Sequence, residues 1–477
     1  MITINRALVR QLRTALRKAG IYQQRASGNP PVAFIAGPDG LYIRAKSHLA
    51  ALEYRQAQSA PVETIWVPAE FLYDCEGTMA EPVSLETLPD GHVKVEFRDK
   101  NIPQLIRYDA VAETDRESGF PVLPSELSDN EPGLLPALVA AAETADAESS
   151  RYALGNMQIS GPSGIVEATD GRQFLRQGGF SFPWKSNVLV PASKFFTFAG
   201  LATNQTVEVG KSDNWAVFRV ASWTIWLPID IAGRYPTTAD LVPSIAATKS
   251  SCRLSASDAD FLARSIDALP GDQGTANSVT LDLNGHVTVR SKASDQPEPT
   301  EIILTSSTAS GEPIRIGVPR HYLTRAVRLG LRDFHFYGEE VPALCRDERR
   351  SYVWAAVSNG VVQPSPNAIR IESQAEAAVA SASAPTITHK EAPVSTTKPE
   401  TSSPTEATPS ARKRRRIPAE GQTVSNLSPI EQAKAIRATL RQALVQNSEI
   451  IRALTRQQRQ ARLVASTLDS LKQLKVA

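Results

Sequence analysis

The chain has 477 residues, with 52 basic and 50 acidic side chains, so its formal net charge is only +2. This balance excludes a uniformly basic protein. It still allows one basic surface, because the distribution of charge matters more than its sum. The three cysteines (Cys75, Cys252 and Cys345) are far apart in the sequence, which favours a reducing compartment over a disulfide framework. No apolar run is long enough for a transmembrane helix, and residues 1–5 have the pattern of a strand and not of a signal peptide. We therefore expect a cytoplasmic protein.

The first predicted element is an amphipathic helix over residues 7–20. Four small or apolar residues recur with helical spacing on the side that would pack on a sheet: Leu8, Leu12, Ala15 and Ala19. Four arginines recur with the same spacing on the opposite side: Arg6, Arg10, Arg13 and Arg17. This stripe is either an ordinary solvated cationic face or a surface that contacts phosphate groups.

A strand that ends in Val-Pro and leads into a helix occurs three times, at intervals of about 125 residues, the size of a small domain. The three pairs are Val67-Pro68, Val190-Pro191 and Val318-Pro319. Proline suits the first turn of a helix, where a backbone N–H has no partner within the helix. One such pair means little, but three with the same surroundings predict a repeated domain.

The surroundings of the three pairs repeat as well. Each copy opens with an amphipathic helix, predicted over residues 7–20, 134–147 and 258–269. Two short apolar strands follow each helix, joined by a turn of the Gly, Pro and Asn residues that suit tight hairpins. Further alternating strands follow each Val-Pro helix. This order predicts an α+β fold with antiparallel sheets, in three domains over residues 1–125, 126–248 and 249–371. The alternative is an unrelated α+β protein of three domains.

The second and third domains differ in charge. The helix after Val318-Pro319 carries three arginines on one predicted face: Arg325, Arg328 and Arg332. The first helix of the second domain instead carries three acidic residues, Glu143, Asp146 and Glu148, and the second helix of that domain offers only Lys194. A surface built from all these helices would be basic in two places and acidic in a third.

The C-terminal quarter has a different composition. Residues 372–427 are rich in Ser, Thr, Pro, Ala and Glu, which predicts a disordered linker, and they contain the basic run Arg412-Lys413-Arg414-Arg415-Arg416. Residues 428–477 predict a long helix that begins with Ser428 as N-cap and Pro429 in the first turn. Two core positions of a heptad can be assigned, with Asn447 in the seam. The segment is either a self-pairing coiled coil or a single amphipathic helix that packs on the body or on a partner.

Residues 150–243 carry the most specific pattern in the chain. A strand-like segment opens with Arg151-Tyr152-Ala153-Leu154, and a second strand ends in Ala168-Thr169-Asp170-Gly171. Later come Gly233-Arg234-Tyr235-Pro236 and Leu241-Val242-Pro243. This pattern resembles the middle domain of the bacterial DNA sliding clamp, the ring-forming beta subunit of the replicative polymerase. The resemblance extends over residues 1 to about 358.

The resemblance implies a ring of two head-to-tail subunits, with helices around a hole and sheets outside. Its partners would be double-stranded DNA, a replicative or repair DNA polymerase and a clamp loader. The hole would be lined by seven arginines: Arg6, Arg10, Arg13, Arg17, Arg325, Arg328 and Arg332. Phosphate contacts of this kind hold DNA without reading its sequence.

The resemblance also implies a cleft between the second and third domains, where a partner peptide docks. The matching positions are Leu154, Thr169, Gly171, Arg172, Gln173, Phe174, Pro236, Leu241, Ala355, Ala356 and Val357. Two parts depart from the family pattern: Arg172-Gln173-Phe174 replaces a basic-then-apolar pair, and Ala355-Ala356-Val357 replaces a methionine-containing ending. Small side chains adapt to a ligand less well than methionine does. We therefore expect a cleft with a different peptide preference.

No motif predicts catalysis, a metal site or a cofactor. The chain has no phosphate-binding Walker loop, no Gly-x-Ser-x-Gly and no Cys or His pair at metal spacing. Asp170 resembles a catalytic acid in isolation, but in the clamp pattern this position belongs to a turn. The leading prediction is a non-catalytic, clamp-like processivity factor. The alternative is a clamp-derived scaffold that does not encircle DNA and acts through its C-terminal helix.

Overall fold

The computed structural model describes residues 1–23, 28–116, 119–146, 153–238, 240–272, 277–355 and 361–373. The predicted linker beyond Ser373, its basic run and the heptad helix lie outside the described residues, as do Ala356 and Val357 of the predicted cleft. Within the described ranges, no helix has the length and apolar character needed to cross a membrane. The predicted domain limits serve below as labels for repeats 1, 2 and 3.

Repeat 1 contains two helices and eight strands. In chain order these are β1 (Ile2–Asn5), α1 (Arg6–Lys18), β2 (Val32–Gly37), β3 (Gly40–Lys46), β4 (Ala51–Gln56), β5 (Glu63–Val67), α2 (Phe71–Asp74), β6 (Pro82–Thr87), β7 (Val93–Asp99) and β8 (Ile102–Tyr108). The Asn5 side chain accepts a hydrogen bond from the Leu8 N–H and so caps α1. Gly40 in the β2–β3 turn has φ +127°, and a Cβ there would lie 2.5 Å from the Gln56 carbonyl oxygen, so only glycine fits.

Repeat 2 has the same element order. It consists of β9 (Leu127–Asn130), α3 (Leu134–Thr144), β10 (Asn156–Ser160), β11 (Ile165–Thr169), β12 (Gln173–Gly178), β13 (Asn187–Pro191), a 3-10 helix (Lys194–Thr197), β14 (Val207–Ser212), β15 (Trp215–Val220) and β16 (Trp223–Pro228). The helix after the second Val-Pro pair is thus only a short 3-10 turn, which Ser193 caps. Within the strand-like segment of the sequence analysis, residues 153–155 form a turn and the strand begins at Asn156.

Repeat 3 follows the same order with two additional strands. Its elements are β17 (Ser250–Arg253), α4 (Ala256–Ser265), β18 (Ser278–Asp282), β19 (Val287–Ser291), β20 (Thr300–Leu304), β21 (Thr308–Gly311), β22 (Arg315–Pro319), α5 (Arg320–Arg328), β23 (Asp333–Phe336), β24 (Ala343–Arg346), β25 (Arg350–Trp354) and β26 (Ile369–Glu372). The additional strands are β21 and β26. The described structure therefore includes Glu372 and Ser373, the first two residues of the predicted linker.

Each repeat has two half-sheets, and four of the six half-sheets join in pairs to form two larger sheets. An eight-stranded sheet joins repeats 1 and 2 in the order β5-β2-β3-β4-β16-β15-β14-β9. A nine-stranded sheet joins repeats 2 and 3 in the order β13-β10-β11-β12-β25-β24-β23-β17-β21. The junction strands β4 and β16, and likewise β12 and β25, pair antiparallel. The α+β fold with antiparallel sheets is confirmed for the described residues, where β20–β26 is the only parallel pair.

Among the described residues, two half-sheets have no such junction. These are β1-β6-β7-β8 of repeat 1 and β22-β18-β19-β20 of repeat 3, the latter extended by β26. By position in the repeat, β8 corresponds to β16 and β25, and β20 corresponds to β4 and β12. The first and last repeats thus end in the same two kinds of strand that pair at the internal junctions.

The apolar residues of the helices and sheets form two main cores. One is shared by repeats 1 and 2 and includes Leu12 of α1, Leu138 of α3 and Phe218 of β15. The other fills repeat 3 and also takes in Leu175 of β12. The core of repeat 3 therefore reaches across the junction with repeat 2, which ties the two repeats together.

Candidate functional site

The predicted arginine stripe on α1 is only partly exposed. Arg10 and Arg17 lie on the surface, and neither is paired with a carboxylate among the described residues. Lys18, next to Arg17, donates to the carbonyl and hydroxyl oxygens of Thr197 in repeat 2 at 2.6 and 2.7 Å. This lysine therefore connects two repeats along the helical side of the molecule.

Arg6 does not belong to the exposed stripe, and the prediction of four solvent-facing arginines is wrong at this position. Its side chain is buried, donates to the carbonyl oxygens of Glu76 and Arg98, and pairs with Asp99 at 2.7 Å. The guanidinium also lies over the Phe97 ring. Helical spacing places Arg6 in line with Arg10, but β7 and the end of α2 cover the start of the helix.

Arg13 is half-buried and already paired. Its guanidinium donates two hydrogen bonds to the Glu76 carboxylate, at 2.6 and 2.8 Å, and lies over the Tyr73 ring. A bidentate pair of this kind fixes the side chain in one orientation. Arg13 therefore offers less free positive charge than Arg10 or Arg17.

The three arginines predicted on the last helix have three different environments. Arg325 is mostly buried and donates to the Ala140 carbonyl oxygen at 2.7 Å and to the Thr144 hydroxyl at 2.9 Å, so it joins α5 to α3. Arg328 is exposed and pairs with the exposed Asp267 at 2.8 Å. Arg332 is exposed but lies beyond the end of α5. The prediction that all three arginines share one face of this helix is therefore wrong at Arg332.

Arg332 lines a cavity of about 1030 Å³ where repeat 2 meets repeat 3. The cavity lies on the helical side of the sheet, since Ala137 of α3 and Gln177 of β12 contribute to its wall. Its wall also includes basic side chains that the sequence analysis missed, namely Arg253, Arg346, Arg349 and Arg350. Burial lowers the pKa of His335, so this cavity residue adds no positive charge near neutral pH. The charge-rich turn over residues 346–350, between two apolar strands, was the available signal in the sequence.

The acidic helix of repeat 2, α3, contributes a carboxylate to the same junction. Glu143 is exposed, and its carboxylate lies 3.8 Å from the Arg325 guanidinium. Opposite charges at this distance attract weakly at a solvated surface. Part of the predicted acidity of α3 is thus balanced by the neighbouring repeat.

The positions of the predicted cleft lie on both faces of this junction: Gln173 accepts a hydrogen bond from the Tyr352 hydroxyl at 2.6 Å, whereas Phe174 faces away from the helices. Phe174 of β12 is directly opposite Val353 of β25, and these two residues pack with Tyr337, Leu344 and Val242 in a small apolar cluster. Neighbours along each strand, Leu175 and Tyr352, belong instead to the helical core. Because successive side chains of a strand point to opposite faces, this cluster faces away from the helices.

The turn before β12 has the geometry that the sequence pattern predicted. The Asp170 carboxylate accepts hydrogen bonds from the N–H groups of Arg172 and Gln173, at 2.7 and 2.8 Å. Gly171 has φ +86°, and a Cβ there would lie 3.9 Å from Leu154, so these two cleft positions are neighbours. Asp170 is a turn-forming residue, in agreement with the sequence analysis.

Several other predicted cleft positions are close to this turn. The hydroxyl of buried Thr169 donates to the Gln173 carbonyl oxygen at 2.6 Å, and Ala355 N–H donates to the Arg172 carbonyl oxygen at 2.9 Å. Pro236 and Leu241 lie in the loop after β16, where Leu241 is exposed and its neighbour Val242 joins the apolar cluster.

A buried carboxylate fixes the loop that carries Pro236 and Leu241. Glu167 of β11 accepts hydrogen bonds from Arg176 at 2.6 Å and from the Thr238 hydroxyl at 2.7 Å. Gln158 donates to the same carboxylate at 3.2 Å. Thr238 is thus the side chain that ties the loop to the sheet.

Changing Thr238 to valine should loosen this loop without unfolding the protein. The substitution removes one hydrogen bond to a charged group, for which about 1.5 to 3 kcal/mol is typical, with the lower end expected because Arg176 and Gln158 still bind the carboxylate. We expect amide hydrogen exchange over residues 236–241 to become about tenfold faster, measured by mass spectrometry. Thr237→Val is the matched control because Thr237 is exposed, and it should leave exchange unchanged. Equal exchange in the two variants would show that Thr238 does not hold the loop.

Solved structures with the same arrangement of repeats are known. The DNA polymerase III subunit beta of Pseudomonas aeruginosa is 16% identical with a TM-score of 0.61, and the match covers 75% of this chain and 99% of that protein. The DNA polymerase sliding clamp of Bacillus subtilis is 17% identical with a TM-score of 0.62, over 75% of this chain and 99% of the other. The beta subunit of Borrelia burgdorferi is 12% identical with a TM-score of 0.62, over 75% and 98%.

The chain has the fold of the bacterial DNA sliding clamp. No protein-family model matches the sequence, and no curated protein matches it either. The resemblance deduced from the motifs over residues 150–243 is therefore confirmed by structure, at identities of 12 to 17%.

The sequence analysis missed part of the apolar cluster. Tyr337, Leu344 and Val353 are adjacent to Phe174 on the outer face. From repeat 3, however, the sequence analysis had assigned only residues after Trp354 to the cleft. The alternation of β25 could have identified Val353, because Tyr352 and Trp354 share the buried face. The pairing of β25 with β12 was not readable from either strand alone.

Proposed function

We propose that this protein is a DNA sliding clamp-like processivity factor, in which two copies form a ring around duplex DNA and tether a polymerase. The observation that carries the proposal is the pair of half-sheets left at the ends of the threefold repeat. At both internal junctions a strand equivalent to β20 pairs with a strand equivalent to β8. Two chains arranged head to tail would make the same pairing twice and close six repeats into a ring.

The exposed arginines support a DNA-facing surface on the helical side. Arg10, Arg17, Arg328 and Arg332 are at the surface, and Arg325 helps to hold α5 against α3. Cationic side chains on helices contact phosphates without reading base edges, which suits a protein that slides. Arg6 is left out of this surface because it is buried, and Arg13 has a secondary part because Glu76 already neutralises it.

The outer apolar cluster supports a docking site for a short peptide of a polymerase or another replication or repair factor. The cluster around Phe174 and Val353 is buried, and the exposed Leu241, the Asp170 turn and the Thr238 loop lie beside it. A concave apolar surface with a few fixed polar groups is what a short linear motif requires. The proposed role is non-catalytic and cytoplasmic, with a clamp loader as a further partner.

The decisive test is topological. The protein is loaded on nicked circular DNA with a bacterial clamp loader and then washed at high salt, where contacts to phosphate are weakened. A ring is expected to stay on the circle and to leave after one restriction cut. Loss from circular and linear DNA at the same rate would overturn encirclement.

The second candidate is a clamp-derived scaffold that does not encircle DNA. One observation favours it: the edge of β20, which the ring requires, is covered by β26. The scaffold would work through residues 428–477, which lie outside the described residues. In the same test a scaffold would fail to remain on closed circles at high salt.

A further inference from the structure

We propose that β26 is a latch on the subunit interface. It occupies the edge of β20 in the single chain and must be displaced before the β8 edge of a second copy can pair there. This inference rests on the proposed ring. It adds that ring closure is controlled by competition between a strand of the same chain and a strand of its partner.

The argument begins with the equivalence of the three repeats. In repeats 1 and 2 the strands corresponding to β20 are β4 and β12, and each pairs directly with the strand of the following repeat that corresponds to β8. Both pairings are antiparallel. The corresponding edge of β20 pairs instead with β26, in parallel orientation, from Thr300 opposite Ile369 to Ile303 opposite Glu372.

Backbone hydrogen bonds hold the latch at both of its ends. Ile369 N–H donates to the Pro299 carbonyl oxygen at 2.9 Å, and Ser373 N–H donates to the Ile303 carbonyl oxygen at 3.0 Å. The Ser373 hydroxyl is buried and accepts from the Thr305 N–H at 2.9 Å. These contacts supply hydrogen-bond partners for the backbone along the edge of β20, and β26 adds no residue to the apolar core of repeat 3.

The side chains of β26 contribute little to the stability of its pairing with β20. All four residues are exposed, with Ile369 at 60% and Ile371 at 41%. Arg370 lies 3.5 Å from Glu301, but its own side chain is mostly in solvent. Because only backbone hydrogen bonds and one buried serine hold β26, we expect it to detach from β20 at a low cost in free energy.

The β8 edge of repeat 1 is the matching half of the interface. Among the described residues β8 pairs only with β7, and Ile102 and Leu105 are 61% and 64% exposed. An exposed edge strand with apolar side chains is a template for another strand. A second copy of this chain is the occupant that fits, because each copy carries both β8 and the corresponding edge of β20.

The geometry of the internal junctions favours a ring in which β26 leaves the edge of β20 over one in which β26 stays between β20 and the β8 strand of the second copy. An interposed strand would add about 4.8 Å to the distance between repeats that directly paired junction strands have elsewhere. It would also separate the helices that touch at the other junctions, where Lys18 donates to Thr197 and Arg325 donates to Ala140. Direct pairing of β8 with β20 preserves the geometry of the internal junctions.

A matched pair of proline substitutions tests the latch. In a parallel ladder alternate N–H groups point to the same neighbour, so the Ile371 N–H faces β20 as those of Ile369 and Ser373 do, and the Arg370 N–H faces outward. Ile371→Pro should release β26 and lower the dimer dissociation constant by about tenfold. Arg370→Pro should change it by less than about twofold. Sedimentation velocity measures both, in the full chain and in a chain ending at Ser383, where the compact unit ends.

A disulfide tests the same proposal from the opposite direction. Ile303 and Glu372 are register partners, so Ile303→Cys with Glu372→Cys can lock β26 on β20. The native Cys75, Cys252 and Cys345 are buried, and burial raises the pKa of each thiol, so they should remain reduced. The oxidised protein is expected to stay monomeric in the chain ending at Ser383, and reduction is expected to restore dimerisation.

The outcomes separate the latch from the ring. The latch would be supported if Ile371→Pro dimerised more tightly than the unchanged protein and if the oxidised Ile303→Cys, Glu372→Cys protein formed no dimers. Weaker dimers for Ile371→Pro would overturn it and make β26 itself the interface strand. Equal dimerisation of all variants would also overturn the latch, while retention on closed circles would keep the ring. Absence of dimers in every variant, with no retention on circles, would overturn both.

Discussion

Replacing Arg290 by alanine is expected to lower the free energy of unfolding of repeat 3 by about 3 kcal/mol. Arg290 is 5% exposed and pairs with Asp282 at 3.0 Å and with Glu301 at 2.6 Å. Both carboxylates are also buried, so removal of the guanidinium leaves two negative charges in a medium of low polarity. Arg315 and Arg370 still lie near these carboxylates, which keeps the loss at the lower end of the usual range.

Urea unfolding, followed by hydrogen exchange of β18 to β20, measures this loss. Arg328→Ala is the matched control, because Arg328 and its partner Asp267 are both mostly exposed. An exposed pair contributes at most about 1 kcal/mol, so the control should shift the midpoint little. Equal midpoints for the two variants would show that the buried network does not stabilise repeat 3.

The second large effect concerns DNA. Changing Arg10 and Arg17 together to glutamine is expected to lower the slope of log affinity against log salt concentration by roughly two, or about 0.9 for each phosphate contact. Both side chains are exposed on α1 and unpaired among the described residues, so their positive charge is available to a phosphate backbone. Fluorescence anisotropy on a short duplex over a range of salt concentrations gives the slope.

Arg55→Gln supplies the control for this measurement. Arg55 is exposed on β4, on the face opposite to Leu52 and Tyr54, which pack in the helical core. It should therefore leave the slope unchanged although the net charge falls. An equal change of slope per arginine in both proteins would mean that DNA binds through general charge and not through the α1 surface.

The repeated fold was readable from the sequence because its evidence is periodic. Three Val-Pro pairs at intervals of about 125 residues, each with alternating apolar strands around it, indicate a repeated unit whatever the contacts between the repeats are. The Ala168-Thr169-Asp170-Gly171 turn was also readable, since an Asp side chain that caps its own turn depends only on local sequence.

The missed features depend on contacts between distant segments. Arg6 has the same helical phase as Arg10, and only the packing of β7 and α2 against the start of α1 decides that it is buried. Arg332 continues the spacing of Arg325 and Arg328, but the helix ends at Arg328. Residues 369–372 (Ile-Arg-Ile-Glu) alternate as a strand does, but the run is only four residues long and borders the polar segment that was assigned to the linker, and only its pairing with β20 makes it a strand.

The central claim is that two chains close into a ring of six repeats. Electron microscopy of the chemically cross-linked full chain, at a concentration where it dimerises, tests it most directly. We expect closed particles with a central hole, with the β8 edge of each copy against β20 of the other. Particles without a hole, or two separate bodies joined only through residues beyond 373, would contradict the ring and leave the scaffold as the better account.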